Sequence, residues 1–209
     1  MPAAPERLLE VLRRHVADER VLAAMAEVPR DRFVPAGKRD EAWENIPLPI
    51  GSGQTISQPL VVARMCELLE LRGDETVLDV GTGSGYHAAV LARLARRVYS
   101  IEVHESLSRQ AGENLREAGA DVTLVVGDGS WGLPDHAPYQ AINVAAAAED
   151  AIPAALLEQL APGGRLVAPV EDADQHLVVA RAGPEGVALE RFERVRFVPL
   201  VSGGGSRFV

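Results

Sequence analysis

One cysteine, Cys66, and one lysine, Lys38, stand among 209 residues. A lone thiol excludes an intramolecular disulfide and any metal site built from several cysteines. It falls in the helix-like run RMCELLEL, where the expected role is a packed structural thiol and not a nucleophile. The shortage of lysine reflects near-total use of arginine and carries no chemistry of its own. Positive charge is also short: 21 basic residues face 30 acidic ones, a net charge of −9. No basic stripe is left to displace counterions from a phosphate backbone, which argues against a nucleic-acid partner. Long apolar runs are missing too, none approaching the roughly 20 residues needed to cross a bilayer. The N-terminal MPAAPERLLEVLRRHV is charged and amphipathic, without the apolar core and cleavage site of a signal peptide. A cytoplasmic protein with no membrane partner is expected. His15, His104, His136 and His176 are scattered without metal-ligand spacing, so no metal site is expected.

What is present is a regular alternation. Leu8, Val11, Leu12 and Val16 recur at helical spacing, and Asp18 can cap a second helix carrying Val21, Leu22 and Met25. Pro29 and Pro35 interrupt, a short helical piece is predicted over 40–44, and a Pro- and Gly-rich loop over 45–59. Helices then follow over 60–71, 86–95, 105–118 and 153–160, the last ended by Gly163–Gly164. Strands fall at 76–80, 98–102, 122–126, 141–145, 165–170, 176–181 and 189–198. Such alternation predicts an α/β, Rossmann-like fold: a mostly parallel sheet with helices on both faces, an N-terminal helical cap and antiparallel C-terminal strands. At this length one domain, 1–209, is expected, with only the GGGS tail of low complexity.

The chemistry concentrates at VLDVGTGSGYHAAVL, a buried strand, a glycine turn and a helix start. Gly81, Gly83 and Gly85, with Thr82 among them, let the backbone turn tightly and approach a ligand at the sheet's carboxyl edge. A dinucleotide fold wants its third glycine one residue later, where this chain has Tyr86. The tighter spacing suits a nucleoside with a small charged tail, of which S-adenosylmethionine is an example; simple packing is the plainer use of such a turn. Glu102, ending the next strand, is placed for ribose hydroxyls or stands as a solvated carboxylate. Asp128 and Gly129 end the following strand, where an acid beside glycine can meet an adenine amino group or close an Asx turn. Asp79 can meet an ammonium or fix the turn by accepting from backbone amides. Upstream, ENIPLPIGSGQTISQPLVVARM leads into a helix with Pro59 in its first turn, and Ser57 or Gln58 lies near the capping position.

PLPIG–GQTISQP, VLDVGTGSGY, VYSIE, GDG, HAPY, GGRLV-P and RFVPL occur in that order and spacing over about 28–200. In these the chain resembles the protein-L-isoaspartate O-methyltransferase family. The resemblance implies an S-adenosyl-L-methionine-dependent enzyme that esterifies the free carboxylate of L-isoaspartyl residues in damaged proteins and peptides. The ester then collapses to a succinimide, which starts repair. It implies Ser57 as the catalytic residue, with Thr55 and Ile56 lining the cofactor and substrate pocket. The glycine turn, Glu102 and Asp128–Gly129 match contacts to methionine tail, ribose and adenine. RFVPL, residues 196–200, matches a segment that closes over the site.

On this basis 1–59 hold the N-terminal helices and active-site loop, 60–170 the cofactor-binding core, and 171–209 the C-terminal strands and tail. A monomer is expected, with isoaspartate recognised between the loop before Pro59 and the C-terminal segment. The acidic balance offers no steering toward an acidic target, so a local donor cluster must compensate. Ser52, His87, Gln140, Asn143, Ala145 and Ala148 depart from the usual pattern beside the motifs and bear on substrate preference more than on cofactor use. His87 is read as a helix-face residue and not a catalytic base. Methylation of an ordinary aspartate in a biosynthetic peptide, and a non-catalytic cofactor-binding module, are the rival readings.

Overall fold

Residues 4–201 are described by a computed structural model; the GGGS tail lies outside them. Two amphipathic helices, α1 (Ala4–Leu12) and α2 (Glu19–Glu27), open the chain and bury Leu8, Leu12, Val21, Leu22 and Met25. Asp18 caps α2 as the sequence predicts, its carboxylate accepting from the amides of Arg20 and Val21. The expected helical piece over 40–44 is instead a 3₁₀ turn at Ala36–Glu41.

The stretch expected as a loop over 45–59 contains a small antiparallel hairpin, β1 (Leu48–Gly51) and β2 (Gln54–Ile56). Gly51, Ser52 and Gly53 all take positive φ at its tip. The strands are too short for an alternation to register, which is why sequence reading passes over them.

From there the elements follow in the order α3 (Pro59–Leu69), β3 (Thr76–Val80), α4 (Tyr86–Leu94), β4 (Arg97–Glu102), α5 (Glu105–Glu117) and β5 (Thr123–Val126). Then come β6 (Tyr139–Val144), β7 (Ala148–Glu149), α6 (Ala154–Leu157), β8 (Leu160–Glu171), β9 (Gln175–Gly183) and β10 (Gly186–Arg194). They build one sheet in the order β10-β9-β8-β6-β3-β4-β5, with β7 alongside β8. Strands β8, β6, β3, β4 and β5 are parallel, and β8-β9-β10 is an antiparallel meander. α6 is shorter than the helix expected over 153–160, and Gly163–Gly164 do not end it. They sit inside β8, where its pairing with β6 slips between Tyr139 and Ala141. A side chain on Gly164 would press against three backbone carbonyls, so the slip demands glycine there.

Central β3 is buried on both faces. Val77 joins the core under α1 to α4, while Leu78 and Val80 join the core on the opposite face, with Ile142, Leu156 and Leu166. The chain runs β3-β4-β5 in one direction and then returns to lay β6 on the other side of β3. That reversal opens a crevice at the carboxyl ends of β3 and β6, the place where open α/β sheets bind ligands.

Candidate active site

The crevice is built around the glycine turn that leaves β3. Gly81, Gly83 and Gly85 all take positive φ, at 93°, 54° and 89°. The Gly81 amide donates to the Ile101 carbonyl at 2.9 Å, and the Gly85 amide to Thr82 at 2.8 Å. At Gly85 an added Cβ would lie 3.1 Å from Leu115 of α5, so bare backbone is required both by conformation and by packing. Asn114 of α5 holds the turn from outside, donating to the Ser84 carbonyl at 2.9 Å.

Glu102, at the end of β4, is 6% exposed. Its Oε2 accepts from the Gly83 amide at 2.9 Å and its Oε1 from His104 at 3.0 Å. The carboxylate is therefore oriented by the turn and stands on the crevice wall with lone pairs to spare. Asp128 uses Oδ1 to close an Asx turn, accepting from the Ser130 amide and hydroxyl, while Oδ2 is enclosed without a partner. A buried carboxylate oxygen without a donor is costly, but Asp128 itself does not line the crevice. Gly129 lines the crevice next to it, where a Cβ would come within 2.5 Å of Val80.

The facing wall is Gln54, Thr55, Ile56 and Ser57, and its rim is Val198 to Val201. That rim is fastened: Ala147 donates to the Val198 carbonyl at 2.8 Å, and Leu200 to Ala147 at 2.7 Å. β10 stops at Arg194, short of the expected 198, and RFVPL continues as an extended strap.

Ser57 is not a helix cap. Gln58 occupies the cap position of α3 without a side-chain bond to the helix amides, and the free amide of Leu60 is met by Asn45 Oδ1 at 3.0 Å. Among the described residues the Ser57 hydroxyl has no hydrogen-bond partner, although its carbonyl accepts from Arg30 at 2.9 Å.

Asp79 takes neither of its two expected roles. It is wholly buried, accepts from Asn143 Nδ2 and Ser100 Oγ at 2.7 Å each, and does not line the crevice. The register of β6, β3 and β4 sets Asn143, Asp79 and Ser100 side by side. Thr82 bonds the Ser100 hydroxyl at 2.6 Å, so this row underpins the turn from behind. At its other end Asn143 lies 3.2 Å from His87 Nδ1, and His87 Nε2 lies 3.5 Å from Cys66 Sγ. Burial lowers His87 to about 3 and pushes the Cys66 thiol up, so the imidazole stays neutral and the thiol protonated. Among the described residues no three His, Cys, Asp or Glu side chains gather to hold a metal.

The sequence pattern of the protein-L-isoaspartate(D-aspartate) O-methyltransferase family matches residues 3–205. The chain belongs to that family. A protein-L-isoaspartate O-methyltransferase of Halorhodospira halophila is 55% identical over 203 residues, 95% of this chain and 91% of that one. One from Aeropyrum pernix is 51% identical over 210 residues, 96% and 80% of the two chains. A solved protein-L-isoaspartate O-methyltransferase superposes with a TM-score of 0.86 at 28% identity, covering 96% of this chain and 66% of its own. A Plasmodium falciparum relative solved with S-adenosyl-L-homocysteine gives 0.82 at 25% identity, covering 96% and 99%.

Within this methyltransferase two departures from the usual pattern, His87 and Asn143, touch each other, so they act as a pair behind the glycine turn. Gln140 accepts from the Thr76 amide at 2.8 Å and holds the start of β3, far from the crevice chemistry. Sequence reading missed the buried row and Arg30. The signal for the row was three polar residues, Asp79, Ser100 and Asn143, each inside an otherwise apolar strand.

Proposed function

We propose that this chain methylates the free carboxylate of L-isoaspartyl residues in damaged proteins and peptides, using S-adenosyl-L-methionine, and so starts their repair through a succinimide. When bound, the cofactor supplies a methyl group on a sulfonium, a strong electrophile. Gly81, Thr82 and Gly83 would hold its amino-acid tail, with Gly85 closing the turn behind them against α5; Glu102 would hold its ribose, and Asp128 with Gly129 its adenine. Thr55 and Ile56 would close the pocket from the facing wall. The oriented Glu102 carboxylate and Gly129, both on the crevice wall, support that fit. Asp79 leaves the contact set and becomes the anchor beneath the turn.

A carboxylate acceptor is already ionised at neutral pH, so no general base is needed. The low basicity of buried His87 accords with that. The residues' work is to orient the acceptor near attack distance and to exclude water. Ser57 donates a hydrogen bond that orients the acceptor oxygen; the observation that carries this role is its unengaged hydroxyl on the crevice wall. The strap from Val198 to Val201 covers the rim.

The peptide lies in the groove continuous with the crevice through Ser57, between Pro47, Thr55 and Gln58 on one side and Arg196 and Phe197 on the other. Arg196 is exposed and has no ion-pair partner among the described residues, whereas neighbouring Arg194 is engaged by Asp174 at 2.7 Å. It is the local donor that a chain of net charge −9 needs near an anionic substrate. All of these walls come from one chain, so a monomer suffices.

Labelled methyl transfer to matched isoaspartyl and aspartyl peptides tests the reading. Preference for the isoaspartyl peptide is expected. Preference for the aspartyl peptide would move the chain to a biosynthetic role, and cofactor binding without transfer to either would make it a binding module.

A further inference from the structure

Arg30 is among the most buried side chains of the protein, with no exposed surface. It stands on a 3₁₀ turn, Arg30–Phe33, between the N-terminal helices and the hairpin. Its Nε donates to the Ala42 carbonyl at 2.9 Å, and Nη2 donates to Ile46 at 3.3 Å and Ser57 at 2.9 Å. Ile46 precedes β1 and Ser57 follows β2, so one guanidinium nitrogen draws together both ends of the hairpin that carries Thr55 and Ile56. The guanidinium carbon lies 4.8 Å from the centre of the Tyr86 ring, and Phe33 packs edge-on to the same ring at 5.6 Å. Tyr86 is the first residue of α4, directly after the glycine turn. Burial lowers Arg30 to about 10, so it keeps its charge at neutral pH. Nη1 is enclosed without a partner, a cost offset in part by the Tyr86 ring face. Among the described residues no carboxylate pairs with this cation; what it reaches are three backbone carbonyls and one ring.

We propose that Arg30 is a positioning residue for methyl transfer, fixing the Ser57 backbone, and with it the Ser57 hydroxyl, against the wall that bears the glycine turn. The inference rests on the reading of Ser57 as the group that orients the acceptor. The glycine turn itself is held by Ile101, Glu102 and Asn114 and takes no bond from Arg30. Loss of Arg30 therefore loosens the hairpin wall and leaves every hydrogen bond of the glycine turn in place. A planar fork serves because it spreads its donors over carbonyls that diverge; an ammonium at the same depth holds fewer of them at once.

The test is a double-mutant cycle between Arg30→Met and Ser57→Ala, read as kcat and KM for an isoaspartyl peptide and as Kd for S-adenosyl-L-homocysteine. Displacing a positioned group by about 1 Å can cost on the order of 100-fold, so Arg30→Met is expected to lower kcat about 10- to 100-fold. Its Kd for S-adenosyl-L-homocysteine should stay within about twofold, and its added effect in the Ser57→Ala background should be less than about twofold, because coupled residues are not additive. Wild-type kcat in Arg30→Met, equal losses in both backgrounds, or a loss of S-adenosyl-L-homocysteine binding as large as the loss of kcat would each overturn the proposal. Full turnover in Ser57→Ala alone would instead defeat the reading beneath it and take both down. If Arg30→Met does not fold, Arg30→Lys carries the same cycle, with a loss of about fivefold or more expected only where Ser57 is present. Equal losses in its two backgrounds would sink the idea just as well.

Discussion

Burial raises the Asp79 carboxyl to about 6, despite hydrogen bonds from Asn143 and Ser100 that favour its ionised form. An acid whose folded value lies above its unfolded one stabilises the fold fully only below the unfolded value, near 3.8, and that contribution is lost as pH rises through about 6. Between pH 5 and pH 8 the loss amounts to about 1.4 kcal/mol by linkage. Asp79→Asn keeps an oxygen for Asn143 and removes the titration. Its stability relative to the parent should therefore rise from pH 5 to pH 8, by about 3–5 °C in Tm. A difference in Tm that stays flat across that range would show the carboxyl to be ionised throughout. Ser57 is a residue-scale case of another kind, because its hydroxyl supports nothing in the fold. A hydrogen bond to a charged group contributes about 1.5–3 kcal/mol, which corresponds to about 10- to 100-fold in rate. Ser57→Ala is expected to lose that much in kcat while Tm and the Kd for S-adenosyl-L-homocysteine stay put. Unchanged turnover would return Ser57 to a passive place on the wall.

Helix α3 shows how an element sets the site it precedes. Pro59 starts it with no amide to satisfy, Gln58 leaves its own side chain turned to the Asn45 carbonyl, and Asn45 reaches across 15 residues to cap the Leu60 amide. Asn45→Ala should cost about 1 kcal/mol, the usual worth of a cap, and show up as a lower denaturation midpoint. A midpoint equal to the parent's would mean that water serves that amide equally well. What was legible in the sequence follows the same division between local and distant. β3 is legible to its residue bounds, because TVLDV is an apolar run broken only by Asp79 and closed by a glycine turn. The positions of Glu102, Asp128 and the three glycines, at or just past strand ends, are legible because each is fixed by its own neighbours; their contacts with the cofactor belong to the proposal. The hairpin was not, since its strands span only three and four residues and its turn borrows a positive φ from Ser52. Gly163–Gly164 read as a helix stop because a glycine pair after a helical run usually is one. Only the slip of β8 against β6 shows why the pair lies within a strand. Arg30 and Asp79 escaped for one reason: their partners come from other elements, and no local pattern records a pairing made by the sheet or across the hairpin.

At the scale of the whole molecule, a net charge of −9 must still admit a substrate whose reacting group is a carboxylate. Two arginines line the groove, and Arg194 is already engaged by Asp174. Arg196 stands apart, on the strap beside Phe197, whose amide and carbonyl are both held by the Gln175 side chain. The strap is thus fixed in place while its cation reaches into the groove that contains Ser57. An exposed cation of this kind contributes modestly, and it acts on encounter and binding rather than on the chemical step. Arg196→Ala is accordingly expected to raise KM for an isoaspartyl peptide about three- to fivefold and leave kcat nearly unchanged. Salt should separate the two proteins further. Screening at about 0.5 M weakens exposed charge pairs strongly, so parental KM should climb with ionic strength while the variant's changes little, and the two should converge. Parallel salt curves would assign the attraction to the backbone donors of the loop before Pro59. A drop in kcat without a change in KM would bring Arg196 into contact with the reacting carboxylate itself.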